Sequence, residues 1–255
     1  MGKARLTAVM QYIAKAALVR DLAAMLVALG LLAATSTGAL AAGQTAALDA
    51  RLQAIEHDPT AMQSLVQAGR NQTDTFCVYC HGSAGNSVNP DIPNLAEQNP
   101  AYLLAQMRQF ADGQRKDEYV GVMQKLARTF TPSEEVTIAL YFSNMPLTRR
   151  PVTDTGLALK GAPIFAQHCA ACHGGSGMGR GEYPRIAGQQ PKYVVRTLKN
   201  FRKDAASRPS VVMSSATASL KNTDIQELAA YVASLPVKAQ SYFVRYPHPN
   251  FPGDN

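Results

Sequence analysis

The feature that most constrains this chain is a five-residue pattern, C-x-x-C-H, that occurs twice. It occupies residues 77–81 and 169–173, and the two motifs contain all four cysteines of the 255 residues. At positions i and i+3 of a helix, two thiols face the same side, and the histidine that follows lies close to them. The positions are Cys77, Cys80 and His81 in the first motif, and Cys169, Cys172 and His173 in the second.

This spacing is the attachment pattern of a c-type haem, whose vinyl groups form thioethers with the two thiols. The histidine binds the iron from the proximal side. A zinc ribbon would place its second C-x-x-C about 15–20 residues after the first. A thioredoxin-like redox pair would need a neighbouring βαβ pattern, and a structural disulfide network would not put a histidine after each pair. The sequence therefore predicts two covalently bound haems c, each with one iron.

Residues 1–42 predict an exported protein. A basic stretch that ends at Arg20 precedes an apolar run over residues 22–32, and small residues then lead to an A-x-A pattern at 39–41. This is the organisation of a cleaved signal peptide. An uncleaved membrane anchor is the alternative, although the apolar run is shorter than the ~20 residues that span a bilayer. Covalent haem attachment also takes place outside the bacterial inner membrane, so we expect a periplasmic protein.

The composition argues against a nucleic acid as partner. The formal net charge is +7 at pH 7, and no cluster of Lys and Arg is interleaved with aromatic residues. Part of that charge lies in the leader, and haem propionates would offset much of the rest. The absence of tryptophan and the abundance of alanine fit small helical domains around a large apolar cofactor.

The segments that follow the two motifs repeat, with offsets of 92, then 91, then 90 residues. Two single-residue gaps therefore relate the halves, which indicates a tandem duplication and not a solenoid. Equivalent pairs include Gly85 and Gly177, Pro93 and Pro184, Tyr102 and Tyr193, Phe110 and Phe201, Met123 and Met213, Tyr141 and Tyr231, and Pro146 and Pro236.

Each copy predicts helices joined by irregular segments, and no stretch alternates like a strand. The second haem motif is expected to end a helix that begins near Gly161. A middle helix is predicted at about 100–112 and 191–203. The final helix follows a capping box at Thr131 in the first copy and begins near Asn222 in the second.

We therefore predict an all-α chain with two haem domains. Its parts are a signal peptide (1–42), an N-terminal extension (43–64), a first domain (65–147), a linker (148–156), a second domain (157–237) and a C-terminal tail (238–255).

The repeat also selects candidates for the sixth iron ligand. Of the nine methionines, Met123 and Met213 occupy equivalent positions, whereas Met107 and Met145 align with leucines. Each candidate is expected on an irregular stretch before the final helix. A thioether at the sixth position raises the reduction potential and fills the site that a substrate would need, which argues against a haem enzyme such as a dihaem peroxidase.

Pro93 and Pro184 are candidates for orienting the proximal histidines. A metal-bound imidazole usually donates its second N–H to an acceptor such as a backbone carbonyl. Alternatively, the two prolines only shape their loops. The remaining histidines are less suitable as ligands, because a bis-histidine site built from one of them would break the symmetry of the repeat; they are His57, His168 and His248.

The chain resembles the class I cytochromes c, and specifically the periplasmic dihaem cytochrome c4 group. The resemblance covers about residues 65–237. It rests on both C-x-x-C-H motifs, on residues 183–189 with Tyr193 and Phe201 downstream, and on the paired methionines. The first copy departs from the pattern, because Glu97 stands where the second copy has Gly188.

The resemblance implies two tandem class I cytochrome c domains with His/Met ligation at both irons and haem edges that face each other. It further implies electron transfer from a quinol-oxidising complex to a haem-copper terminal oxidase, with peripheral association at the inner membrane as a further expectation. An alternative is the dihaem subunit of a flavoprotein dehydrogenase, such as flavocytochrome c sulfide dehydrogenase. The aromatic tail at 241–251 could dock on a partner or pack on its own domain.

Overall fold

The structure is a computed structural model of the protein. It describes residues 58–116, 121–148, 154–180, 183–203 and 207–237, with a few isolated positions before residue 58. These residues form helices and no strand, apart from one isolated bridge between Arg180 and Tyr183. The all-α prediction is confirmed. The predicted leader and the aromatic tail fall outside the described residues.

From residue 58 onward, each copy contributes five α-helices among the residues described, and the first copy adds a 3-10 turn at Ser83–Gly85. In the first copy they are α1 (Pro59–Phe76), α2 (Val78–His81), α3 (Pro100–Ala111), α4 (Val122–Ala127) and α5 (Pro132–Asn144). In the second copy they are α6 (Thr155–His168), α7 (Ala170–His173), α8 (Pro191–Lys203), α9 (Val211–Thr217) and α10 (Asn222–Ser234).

The helix before the second haem motif begins earlier than predicted. Helix α6 starts at Thr155, because the Asp154 carboxylate caps it by accepting a hydrogen bond from the Leu157 N–H at 2.9 Å. Pro163 lies inside this helix, so the predicted start near Gly161 is wrong. The cap at Asp154 is the stronger start signal, since it satisfies an N–H group that the first turn leaves without a partner.

In both copies the helix before the haem motif crosses the final helix at a glycine. A Cβ added at Gly69 of α1 would lie 2.7 Å from the Tyr141 Cγ on α5. One added at Gly161 of α6 would lie 2.6 Å from the carbonyl carbon of Glu227 and 2.8 Å from the Tyr231 Cβ, both on α10. Glycine at these two equivalent positions therefore lets the helix backbones approach closely.

Apolar side chains cover the inner faces of these crossings. In the second copy, Phe165 of α6 packs in one buried cluster with residues of α8 and α10, among them Val194, Ile225 and Leu228. Burying such a side chain contributes about 1.5–3 kcal/mol. The crossing fixes the start of each haem motif, which follows α1 or α6 directly.

The described chain from Arg51 onward belongs to one compact unit. Helix α1 begins at Pro59 and so crosses the boundary predicted between residues 64 and 65. Helix α6 begins within the predicted linker at 148–156. Among the residues described, no helix is long and apolar enough to cross a membrane.

Candidate haem sites and the junction between the copies

The two haem motifs sit at equivalent helix breaks. Cys77 joins α1 to α2, and its carbonyl accepts from the His81 N–H at 2.8 Å; the Cys169 carbonyl accepts from the His173 N–H at 3.0 Å. No disulfide joins any of the four cysteines. Burial raises the pKa of Cys77 and of Cys169 to about 11. Both thiols are therefore neutral at physiological pH.

Both motif histidines are buried and hold one ring nitrogen in a hydrogen bond. His81 Nδ1 lies 3.0 Å from the Pro93 carbonyl oxygen, and His173 Nδ1 lies 3.0 Å from the Pro184 carbonyl oxygen. A carbonyl can only accept, so each Nδ1 carries the proton and each Nε2 keeps its lone pair for a metal. Burial lowers the pKa of both imidazoles, which favours the neutral, metal-binding form.

Met123 and Met213 lie in short helices, so the prediction of irregular stretches around them is wrong. Met123 is the second residue of α4, which begins after Gly121 in the left-handed conformation. Met213 is the third residue of α9, where its N–H donates to the Ser210 hydroxyl at 3.2 Å. Helices of six and seven residues are too short to show a hydrophobic periodicity in the sequence. Both methionines are half-buried.

The other methionines near the sites are core residues. Met107 on α3 and Met145 at the end of α5 are both buried among apolar side chains. Of the remaining histidines, His168 ends α6 and is half-buried, whereas His57 and His248 fall outside the described residues. The described residues contain no cluster of three or more His, Cys, Asp or Glu that could hold a separate metal ion.

The loops that follow Pro93 and Pro184 pack against each other across the repeat. Gln98 accepts from the Arg185 N–H at 2.7 Å and donates to the Arg185 carbonyl at 2.9 Å. Its equivalent, Gln189, accepts from the Asn94 N–H at 2.7 Å and donates to the Asn94 carbonyl at 3.0 Å. Each glutamine therefore binds both backbone groups of the residue that follows the other copy's proline.

The side chains of Gln98, Gln189 and Arg185 lie at the centre of this junction and are all buried. No motif in the sequence identifies Gln98, Gln189 or Arg185 as functional residues. An available signal was the equivalence of the two glutamines within the repeat. These reciprocal hydrogen bonds tie two loops together. One contains the proline carbonyl that accepts from His81, and the other contains the proline carbonyl that accepts from His173.

A second polar cluster lies beside this junction. The Tyr193 hydroxyl accepts from Arg115 and from Arg208, each at 3.1 Å, and Arg208 also donates to the Tyr102 hydroxyl. Burial raises the pKa of Tyr193, but the two guanidinium groups outweigh it and lower the pKa to about 7. Among the described residues, no carboxylate lies within 4 Å of either arginine.

These observations fit two haems c. Each motif offers two free thiols and a neutral imidazole with Nε2 available, which is the donor set that thioether attachment and axial ligation need. Arg115 acts electrostatically on His81, so the cationic cluster lies near the first haem motif. Two neighbouring guanidinium groups without a carboxylate provide a place for anionic groups, and haem propionates are anionic.

Comparisons with known proteins agree with this geometry. The family described as Cytochrome c matches residues 158–236, the second copy. Cytochrome c4 from Thiocapsa roseopersicina is 30% identical over 181 residues, which cover 66% of this chain and 92% of that protein. The crystal structure of reduced recombinant cytochrome c4 from Pseudomonas stutzeri matches with a TM-score of 0.59 and 29% identity, covering 67% of this chain and 98% of that one.

A relative with a different description is also similar over both copies. The thiosulfate dehydrogenase electron acceptor of Stutzerimonas stutzeri is 28% identical over 185 residues, which cover 68% of this chain and 84% of that protein. Electron transfer is therefore common to these relatives.

Proposed function

Because the chain belongs to the cytochrome c4 family of dihaem electron carriers, we propose that it carries electrons in the periplasm from a quinol-oxidising complex to a haem-copper oxidase. It holds two covalently bound haems c, which supply reversible one-electron chemistry at iron. The observation that carries the proposal is the tight hydrogen-bonded junction, which holds both proximal-histidine loops in one fixed arrangement.

The proposal assigns a role to each site residue. In each motif, the thiols would hold the haem through thioethers and the histidine would bind iron through Nε2. The Pro93 and Pro184 carbonyls would keep the rings of His81 and His173 in place. Met123 and Met213 would each supply a thioether sulfur to one of the two irons. Thioether ligation favours Fe(II) and gives a high potential, as a donor to an oxidase requires.

Rapid mixing of the holo-protein with its proposed partners tests this function. The reduced protein should be oxidised by a haem-copper oxidase, and the oxidised protein should be reduced by a quinol-oxidising complex with quinol present. Both rates should fall as salt is raised if charged surfaces steer the encounter. A protein with both haems loaded that exchanges electrons with neither partner would contradict the proposal.

A second candidate is the electron acceptor of a dehydrogenase. The similarity to the thiosulfate dehydrogenase electron acceptor of Stutzerimonas stutzeri favours it over the flavoprotein alternative. If this candidate is correct, thiosulfate and a thiosulfate dehydrogenase should reduce the protein faster than quinol and a quinol-oxidising complex do.

The periplasmic location rests on the leader, which lies outside the described residues. The A-x-A pattern at 39–41 predicts a mature protein that begins near Ala42 or Gly43. N-terminal sequencing of periplasmic protein checks this, and a membrane-bound protein that still begins at Met1 or Gly2 would support an anchor.

A further inference from the structure

One cation is buried at the junction and tied to both histidine-orienting loops. Arg185 has no exposed surface. Its guanidinium group donates to the carbonyls of Glu97 at 3.1 Å and Ala96 at 2.8 Å in the first copy, and to the carbonyl of Ala187 in its own copy. All these acceptors are neutral, so they satisfy the N–H groups without cancelling the charge.

The position of Arg185 connects it with both iron sites. It directly follows Pro184, whose carbonyl lies 3.0 Å from the His173 ring nitrogen. Its guanidinium group binds the loop that follows Pro93, whose carbonyl lies 3.0 Å from the His81 ring nitrogen. The equivalent residue of the first copy, Asn94, is neutral. The first copy therefore has no charge at the position equivalent to Arg185.

Glu97 is the carboxylate that acts on this charge. Burial lowers the pKa of Arg185 to about 10, and Glu97 opposes that shift. Arg185 therefore stays protonated at neutral pH. The Glu97 carboxylate is not in salt-bridge contact with Arg185, because among the described residues no carboxylate lies within 4 Å of that guanidinium group.

Local structure gives Glu97 an unfavourable position. Its φ of 52° lies in the left-handed region, where the second copy has Gly188 with a φ of 66°. Its Oε1 accepts from the Leu147 N–H at 3.2 Å, but the buried Oε2 has no hydrogen-bond partner among the described residues. Glycine would fit the backbone better, so the carboxylate itself is the feature that needs an explanation.

We propose that Arg185 and Glu97 form a charge couple at the junction that sets the reduction potentials of both haems, Arg185 raising them and Glu97 lowering them. The inference rests on the dihaem electron-carrier function. Fe(III) carries one more positive charge than Fe(II), so a buried cation nearby disfavours the oxidised form, and a carboxylate favours it. Arg185 and Glu97 thus tune the sites without binding the iron.

Redox titration of the holo-protein tests the couple. Arg185→Met keeps an unbranched but shorter side chain and removes the charge, and it should lower both midpoint potentials. Glu97→Gln keeps the size of the side chain and the left-handed backbone, and it should raise both midpoint potentials. The double variant should return towards the wild-type potentials, because the two charges are removed together. Arg185→Lys keeps the charge but loses the planar fork, so it should stay nearer to the wild-type potentials than Arg185→Met while unfolding more easily than wild type.

A matched control comes from a partly exposed pair at the same junction. Arg196 of α8 lies 3.6 Å from Asp91, with 24% and 40% of their side chains exposed. Solvent screens such a pair, so Arg196→Met should shift the potentials much less than Arg185→Met. An equal shift would show that burial of the charge is not the cause.

Two outcomes would overturn the proposal. Either Arg185→Met and Glu97→Gln shift the potentials in the same direction, as a merely structural disturbance would, or both leave them unchanged with two haems loaded. If Arg185→Met does not fold, Glu97→Gln alone decides, since an unchanged or lowered potential contradicts the couple. Failure of the carrier function would appear separately, as absent electron exchange by the wild-type protein.

Discussion

The two copies share their frame and differ where they meet. In both, a helix crosses the final helix at a glycine, and a buried histidine donates to the carbonyl of a proline. The loops after those prolines diverge, with Asn94 and Glu97 in one copy against Arg185 and Gly188 in the other. The frame repeats because each haem needs the same support. The loops diverge because each faces the other loop.

Removing one attachment site should produce the largest difference between the copies. Cys169→Ala with Cys172→Ala should reduce the haem content from two to one, and the second copy should lose its cooperative unfolding transition. Small domains bury too little apolar surface to fold well without additional stabilisation, and the haem supplies much of that surface. Intact-mass measurement and chemical denaturation followed by circular dichroism check this.

The matched variant is Cys77→Ala with Cys80→Ala. It should unfold the first copy in the same way and leave the second haem attached. The idea of two equivalent haem domains would be wrong if either double variant kept both haems covalently bound, or if both variants lost both haems.

Replacing one axial methionine should affect one copy and spare the other. Met123→Ala or Met213→Ala should open that iron, make it high-spin or water-bound and let it bind CO. The weak far-red sulfur-to-iron band of the oxidised protein should fall by about half in each variant, as two separate thioether ligands require. Met→His at either position should keep that haem low-spin and lower its potential, because imidazole favours Fe(III) relative to thioether.

Core methionines provide the control for this experiment. Met107→Ala and Met145→Ala should lower stability and leave the far-red band intact, since both side chains are buried among apolar residues. The assignment from the repeat fails if either core variant removes the band while Met123→Ala preserves it.

Adding a methyl group at each of the two helix crossings should lower the unfolding free energy by different amounts in the two copies. This difference should be smaller than the effects of the replacements above. Gly161→Ala should cost about 1–3 kcal/mol of unfolding free energy, the usual range for overpacking, because the added Cβ meets backbone atoms of Glu227. Gly69→Ala should cost less, because two of its three nearest neighbours are ring atoms of Tyr141, which can turn about the Cα–Cβ bond, whereas the two nearest neighbours of Gly161 are backbone atoms. Urea denaturation of both holo-variants measures the difference, and Gly156→Ala near the start of α6 is the control.

Features with a local sequence signal could be predicted. The all-α class followed from the patterns, the Thr131 capping box is present, and the middle helices fall within one residue of expectation at Pro100–Ala111 and Pro191–Lys203. The start of α6 differs from the prediction because a proline shortly after Gly161 suits a first helical turn, whereas Pro163 lies inside the helix. The helices at Met123 and Met213 are too short for periodicity to reveal.

The junction could not be predicted, for a different physical reason. Its hydrogen bonds join residues that are far apart in the chain, such as Gln98 with Arg185, 87 positions apart, and Gln189 with Asn94, 95 positions apart. Polar side chains of this kind carry no local preference that distinguishes a buried interface from a solvated loop. Only the packing of one copy on the other turns these residues into buried, fully bonded groups.

Making the first loop resemble the second should have the smallest effect on stability. Glu97→Gly removes a left-handed L-residue, a gain of about 1–2 kcal/mol. It also loses the bond from the Leu147 N–H, a cost of about 0.5–1.5 kcal/mol. The unfolding free energy should therefore change by about 1 kcal/mol or less. The potentials should nevertheless rise, because the carboxylate that opposes Arg185 is gone.

The reverse comparison uses the second loop. Gly188→Ala should destabilise the protein, because its φ of 66° disfavours a side chain and the added Cβ would lie 2.8 Å from Val237 and 2.9 Å from Leu147. Since no charge changes, its potentials should stay closer to wild type than those of Glu97→Gly. If Glu97→Gly instead strongly destabilised the protein and left the potentials unchanged, Glu97 would be a structural residue and the difference between the copies would lie in packing, not in charge.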